Sequence, residues 1–212
     1  MSFAQRTQIL CLGDSMTEWG DSETGWLTIL RCKYSRRADF VNRGYAGFTT
    51  SMILEKVVPL LIKDGKTYDV GIVFLGANDV RTFFDLTRFS SNLERLSMCL
   101  SGRLCRKLFF VSPPATKMAD LVTYSNYHVE KYVNALRTHC NSNGGTFVDL
   151  FSRFTGDLLC DDGLHPNKEG NLHISQVIEY MIDPYIQKDV DVEWYVHHSL
   201  NGCICISKDE LE

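Results

Sequence analysis

Five residues in this chain have the types and settings that acyl transfer requires. Ser15 stands in "CLGDS", where the apolar run Ile9, Leu10, Cys11, Leu12 stops at a glycine-hinged turn. Gly, Asp and Ser end strands routinely, so Ser15 reads as a nucleophile only if partners for it exist elsewhere. The chemistry needs a base for the serine proton, a group that orients the base, and donors aimed at the developing oxyanion. His165, in "DDGLHP", can be that base because imidazole exchanges protons near neutral pH. Asp162 lies three residues before it, close enough in a turn to bond the ring N–H that faces away from serine. Asp161 competes for that role, but its position reads as solvent-facing.

Asn78, in "GAND", offers an amide donor that cannot act as a rival nucleophile. Gly44, in "NRGYAG", either brings its backbone N–H close to a ligand or merely permits a positive φ. With the Ser15 N–H, Gly44 and Asn78 make three donors for one oxyanion. Asp14 and Asp79 read as braces for their own loops.

These groups must be carried to one place by the fold. Apolar runs rich in β-formers occur at 9–12, 40–41, 68–75, 107–111 and 146–150. Most are continuous rather than alternating, as in strands covered on both faces. Between them lie helical patterns. Phe89, Leu93, Leu96, Leu100 and Leu104 recur at spacings of 4, 3, 4 and 4, and Ile174, Val177, Ile178, Met181, Ile182 and Tyr185 follow a second helical stripe. Segments 25–34, 51–62 and 120–140 read as helices too, with Pro59 expected to kink or end the second. Alternating strands and helices imply right-handed βαβ units and a parallel sheet. Ligand sites in such sheets form at the carboxyl ends of the strands. Each group named above follows one of the five runs.

Taken in order, "GDSMTEWG", "NRGYAG", "GAND" and "DGLHP" resemble the four sequence blocks of the SGNH, or GDSL-type, hydrolases, over about residues 8 to 183. Closer still, "GDS-x-T" with "GW", "NRG-x-x-G" and "DGLH" are similar to the isoamyl acetate-hydrolysing esterase branch. The resemblance implies a flavodoxin-like three-layer α/β/α sandwich with a central, mainly five-stranded parallel sheet. It implies a serine esterase in which Ser15, Asp162 and His165 are catalytic and Ser15, Gly44 and Asn78 form the oxyanion hole. No metal or organic cofactor is expected. The stretch after "GAND" is shorter than in that branch and lacks its proline-containing segment, so the resemblance leaves the ester itself open. Acyl transfer or sugar deacetylation by the same triad, and a non-catalytic binding protein on the same fold, are the rival readings. The absence of Gly-x-Ser-x-Gly argues against the α/β-hydrolase elbow.

Composition narrows the partners. The 212 residues carry 22 Lys and Arg against 26 Asp and Glu, a formal charge of −4, with no basic stripe; nucleic acid is not an expected partner. The longest uncharged apolar run, "VGIVFLGA", is far short of the roughly 20 residues that cross a bilayer. Without a secretion-type N-terminus, the eight cysteines read as reduced, mostly packed thiols, and the expected location is cytoplasmic. A small ester is the expected ligand, with homo-oligomerisation left open. Loops after the strands contribute Trp19, Tyr45, Phe48, Phe83 and Phe84, enough for a modest apolar pocket suited to short-chain esters.

His128, His139 and His173 fall in helical patterns and read as solvated or partly packed. Residues 1–185 form the expected hydrolase domain. Residues 186–212 are a C-terminal extension of unknown role, where His197, His198, Cys203 and Cys205 match no zinc template and Asn201-Gly202 suits a hairpin turn.

Overall fold

The structure is a computed structural model and describes residues 6–82, 85–118 and 125–187. Five strands, β1 (Thr7–Gly13), β2 (Ala38–Gly44), β3 (Tyr68–Phe74), β4 (Cys105–Val111) and β5 (Thr146–Val148), form one parallel sheet in the order β2-β1-β3-β4-β5. This is the flavodoxin-like order. The continuous apolar runs are explained by two-sided cover: Ile9, Leu10, Cys11 and Leu12 of β1 are each no more than 1 % exposed. On one face α2 (Trp26–Lys33) packs with α8 (Lys168–Ile182). On the other, α6 (Leu86–Leu100) packs with α7 (Asn126–Asn143) and with α3 (Thr50–Met52). The expected α/β/α sandwich is therefore what the chain adopts.

Several element boundaries differ from the sequence expectation. Pro59 does not end its helix. A π-helical turn (Ile53–Val57) joins α3 to α4 (Val58–Asp64), which places the proline in the first turn of α4. There its missing N–H costs no hydrogen bond, and the wider turn before it makes room for the ring. Helix α7 starts at Asn126 after an extended Ser125, not at 120; residues 120–124 lie outside the described residues. Strand β5 is only three residues long, because Leu150 already has helical dihedrals.

His139 is more deeply placed than a solvated helix residue. It is 5 % exposed, pairs with Ser97 Oγ at 2.7 Å and meets Asn143 at 3.2 Å. Burial lowers its pKa. Among the described residues no helix is long and apolar enough to cross a membrane. Phe83, Phe84 and the extension from 188 onward, with its histidines and cysteines, lie outside the described residues.

Candidate active site

The site is assembled where β1 ends between its two neighbours. Gly13, the last residue of β1, is in register with Gly44 of β2 and Phe74 of β3. The loop after β2 and the loop after β3 therefore flank the turn that carries Ser15. That turn is the one-turn helix α1 (Ser15–Glu18). Asp14 caps it: its carboxylate accepts from Met16 N–H at 3.1 Å, and its carbonyl accepts from Thr17 and Glu18 N–H. Every N–H of the turn except that of Ser15 is thus spent on the protein. The Ser15 N–H has no acceptor among the described residues.

His165 reaches the same point from the far end of the chain. Ser15 Oγ and His165 Nε2 are 2.9 Å apart, and His165 Nδ1 and Asp162 Oδ2 are 2.5 Å apart. The other carboxylate oxygen of Asp162 accepts from the backbone N–H of Leu164 and of His165, both at 2.9 Å. Burial pulls the Asp162 carboxyl upward, but the bonds from the His165 ring and from these two N–H groups outweigh it, and the net shift is downward. Asp162 therefore stays ionised and receives the ring N–H on Nδ1, which leaves Nε2 to accept from serine. Asp161 is exposed and has no hydrogen bond or ion pair among the described residues. The histidine loop is pinned from outside itself: the Gly163 carbonyl accepts from Thr116 Oγ1 at 2.7 Å and from Lys117 N at 2.9 Å.

Asn78 lies in α5 (Ala77–Arg81), just after β3, and is 8 % exposed. One amide hydrogen goes to the Phe48 carbonyl at 3.1 Å; the second has no protein acceptor among the described residues. Asp79 is fully buried and accepts from Thr50 N and from Thr50 Oγ1, the latter at 2.5 Å. Asn92 in turn donates to Thr50 Oγ1 and Ser51 Oγ, both at 2.9 Å. This network fixes the loop holding Asn78, while Asp79 itself stays inside it. Burial raises the Asp79 pKa against the Thr50 bonds. It raises that of Asp14 to about 7.

Gly44 departs from its expected role. Its N–H is taken by Asn42 Oδ1 at 2.8 Å, a two-residue side-chain turn, so in this arrangement it does not serve an oxyanion. What demands glycine is close packing: a Cβ there would lie 2.0 Å from Glu18 N. Asn42 completes the splice between β2 and α1 by donating to the Thr17 carbonyl at 2.9 Å and to Asp21 at 2.8 Å. The next glycine, Gly47, sits in a turn with φ +79° and is exposed. Tyr45 N bonds the Gly13 carbonyl, Ala46 N bonds Glu18 Oε2, and Phe48 N bonds the Tyr45 carbonyl. Only the Gly47 N–H of that turn lacks a partner among the described residues. "NRGYAG" contains both glycines, and nothing in the local sequence separates them.

A cleft of about 490 Å³ opens beside Ser15 on the His165 side, bordered by Met16, Trp19, Ser22, Thr24, Cys160 and Lys168. The Trp19 ring leans on the His165 ring, with centroids 4.4 Å apart. Tyr45 and Phe48, expected as pocket walls, instead stack on each other at 5.2 Å and do not border this cleft.

This arrangement can pass a proton from a hydroxyl to an imidazole and hold a negative charge beside it. A model of the GDSL-like lipase/acylhydrolase family matches residues 11–172. The chain belongs to that family. GDSL esterase/lipase CPRD49 of Arabidopsis thaliana is 29 % identical over 191 residues, covering 78 % of this chain and 75 % of the relative. The human isoamyl acetate-hydrolyzing esterase 1 homolog is 33 % identical over 190 residues, covering 77 % and 76 %. Among solved structures, an acetyl xylan esterase, AlAXEase, superposes with a TM-score of 0.73 at 19 % identity, covering 82 % of this chain and 99 % of that one; at that identity the likeness concerns the fold. As a GDSL-like acylhydrolase, the chain is a carboxylester hydrolase.

Proposed function

We propose that this enzyme hydrolyses small, acetate-type carboxylic esters through an acyl-enzyme on Ser15. Ser15 Oγ attacks the ester carbonyl as its proton passes to His165 Nε2, and Asp162 holds the ring in the accepting tautomer. The Ser15 N–H, the Gly47 N–H and the free hydrogen of the Asn78 amide receive the oxyanion. The C–O bond to the alcohol breaks, and the alcohol leaves with the proton from His165. Water then attacks the acyl-enzyme, gives its proton to the same histidine, and the acid departs as Ser15 recovers its hydrogen. None of these steps calls on a metal or an organic cofactor.

The observation that carries this reading is the unbroken line Ser15–His165–Asp162, with contacts of 2.9 and 2.5 Å, beside N–H groups that have no acceptor among the described residues. The modest cleft favours small substrates. The experiment is a chain-length series of p-nitrophenyl esters on the wild type and on Ser15→Ala. Activity should peak at acetate or butyrate and vanish in the folded variant; equal activity of the variant would refute the reading.

A second reading has its own support. The leaving alcohol must depart on the His165 side, where the Trp19 face and the hydroxyls of Ser22 and Thr24 border the cleft. An aromatic platform beside hydroxyl-bearing residues suits a sugar, which makes carbohydrate deacetylation, or transfer to a sugar, the alternative. Product analysis with acetylated sugars and with free alcohol acceptors separates the two. A fluorophosphonate probe that failed to label the folded protein would instead favour a non-catalytic binding role.

A further inference from the structure

The turn that carries Gly47 is held by few contacts, and the most unusual of them comes from the helix of the nucleophile. Glu18 stands three residues after Ser15 in α1, so both side chains leave the same face of a single helical turn. The Glu18 carboxylate crosses to the loop after β2 and accepts the N–H of Ala46. Ala46 is exposed, so water would satisfy that N–H equally well, and the bond is not there to rescue a buried donor. A carboxylate near a developing oxyanion is also electrostatically unfavourable. What the contact supplies is geometry.

The rest of the turn shows why geometry is needed. Its entry is tied by Tyr45 N to the Gly13 carbonyl, and its exit by the Phe48 carbonyl to Asn78. Between them, Ala46 and Gly47 are both exposed, and a side chain at Gly47 would meet nothing within 4 Å. The peptide that presents the Gly47 N–H is thus at the least supported point of the loop. Among the described residues, Glu18 makes the one side-chain hydrogen bond to that tip.

We propose that Glu18 is a positioning residue: by clamping Ala46 it fixes the Gly47 N–H relative to Ser15, so that nucleophile and oxyanion donor move as one body. This rests on the assignment of Gly47 as a donor. Glu18 does not touch the substrate; it acts through the adjoining peptide. Loss of a whole oxyanion donor costs about 10²–10³-fold in kcat. A donor that is present but loose should cost less, about 10–50-fold.

The test compares Glu18→Ala, Glu18→Gln and Glu18→Asp in the full-length enzyme, reading kcat, KM and Tm with p-nitrophenyl acetate. Glu18→Ala should lower kcat by about 10–50-fold, with KM within about twofold and Tm almost unchanged, since the contact is on the surface. Glu18→Gln keeps an acceptor oxygen at the same reach and should return to within about threefold of wild type. Glu18→Asp, one methylene short, should behave like Glu18→Ala. Combined with Asn78→Ala, the Glu18→Ala defect should be non-additive, because both act on one oxyanion.

Wild-type kcat in Glu18→Ala would overturn the proposal while leaving the Ser15 mechanism intact. So would a Gln variant as slow as the Ala one, which would make charge rather than the bond the relevant property. A wild-type protein without Ser15-dependent ester hydrolysis would overturn both readings together.

Discussion

Replacing Asp162 by Asn tests the catalytic reading at its most sensitive joint. The native carboxylate does two separable things: Oδ2 receives His165 Nδ1–H at 2.5 Å, and Oδ1 receives two backbone N–H groups at 2.9 Å. Asn keeps an oxygen for the backbone pair and turns its NH₂ toward the ring. Nδ1 must then accept, so the ring proton moves to Nε2 and faces Ser15 as a donor, and the base is lost. The carboxylate also stabilises the imidazolium. Two charges about 4 Å apart at an effective dielectric of about 20 interact by about 4 kcal/mol. The Asp162 side chain is 49 % exposed, so water screens about half of this, leaving about 2 kcal/mol, or about 30-fold. With a further tenfold or so for the wrong tautomer, kcat/KM should fall by about 10²–10³-fold. That is less than the ~10⁴ expected for a buried triad aspartate, because this one is half open to solvent. Steady-state hydrolysis of p-nitrophenyl acetate measures it, with thermal melts to show that the Asn variant stays folded. Asp161→Ala is the control and should remain near wild type. Asp162→Asn within threefold of wild type, or Asp161→Ala the more damaged of the two, would refute the reasoning.

Other perturbations reach different parts of the site. Asn78→Ala removes one of the proposed oxyanion donors and should lower kcat by about 10²–10³-fold with little change in KM; steady-state kinetics decide it. Gly44→Ala forces a Cβ to within 2.0 Å of the Glu18 backbone, so β2 and α1 must part; both Tm and kcat should drop, although no donor is deleted. A structure of the phosphonate-inhibited enzyme should show the phosphoryl oxygen on Ser15 N, Gly47 N and Asn78 Nδ2; contact with Gly44 N instead would restore the sequence-based assignment. Asp14 gives a pH test. Burial raises its folded-state pKa to about 7 from 3.8, so the folded protein keeps a proton that the unfolded chain has lost between about pH 4 and 7. Folding takes up that proton, and this residue's contribution to stability falls as pH rises through the window, by at most about 1.4 kcal/mol per pH unit. Asp14→Asn keeps the cap on Met16 without the proton, so urea melts from pH 4.5 to 7.5 should show its stability gaining on wild type as pH rises.

The sequence by itself determined the sheet, because two-sided burial writes itself as continuous apolar runs, and turn chemistry marks where each run stops. It also delivered the residue types waiting at the strand ends, Ser15 after β1 and Asn78 after β3 among them, since those motifs are local. Which backbone hydrogens stay unspent is not a local property. Gly44 and Gly47 stand three residues apart in one motif, and only the folded chain shows that Asn42 takes the first N–H while the second has no acceptor among the described residues. The same holds for Glu18, which reads as an ordinary surface acid until the loop after β2 is folded against it, and for Trp19, whose partner His165 lies 146 positions further along the chain. Burial follows a residue's own chemistry and the spacing of its neighbours. The direction of a hydrogen bond depends on which distant partner arrives, and tertiary structure alone decides that.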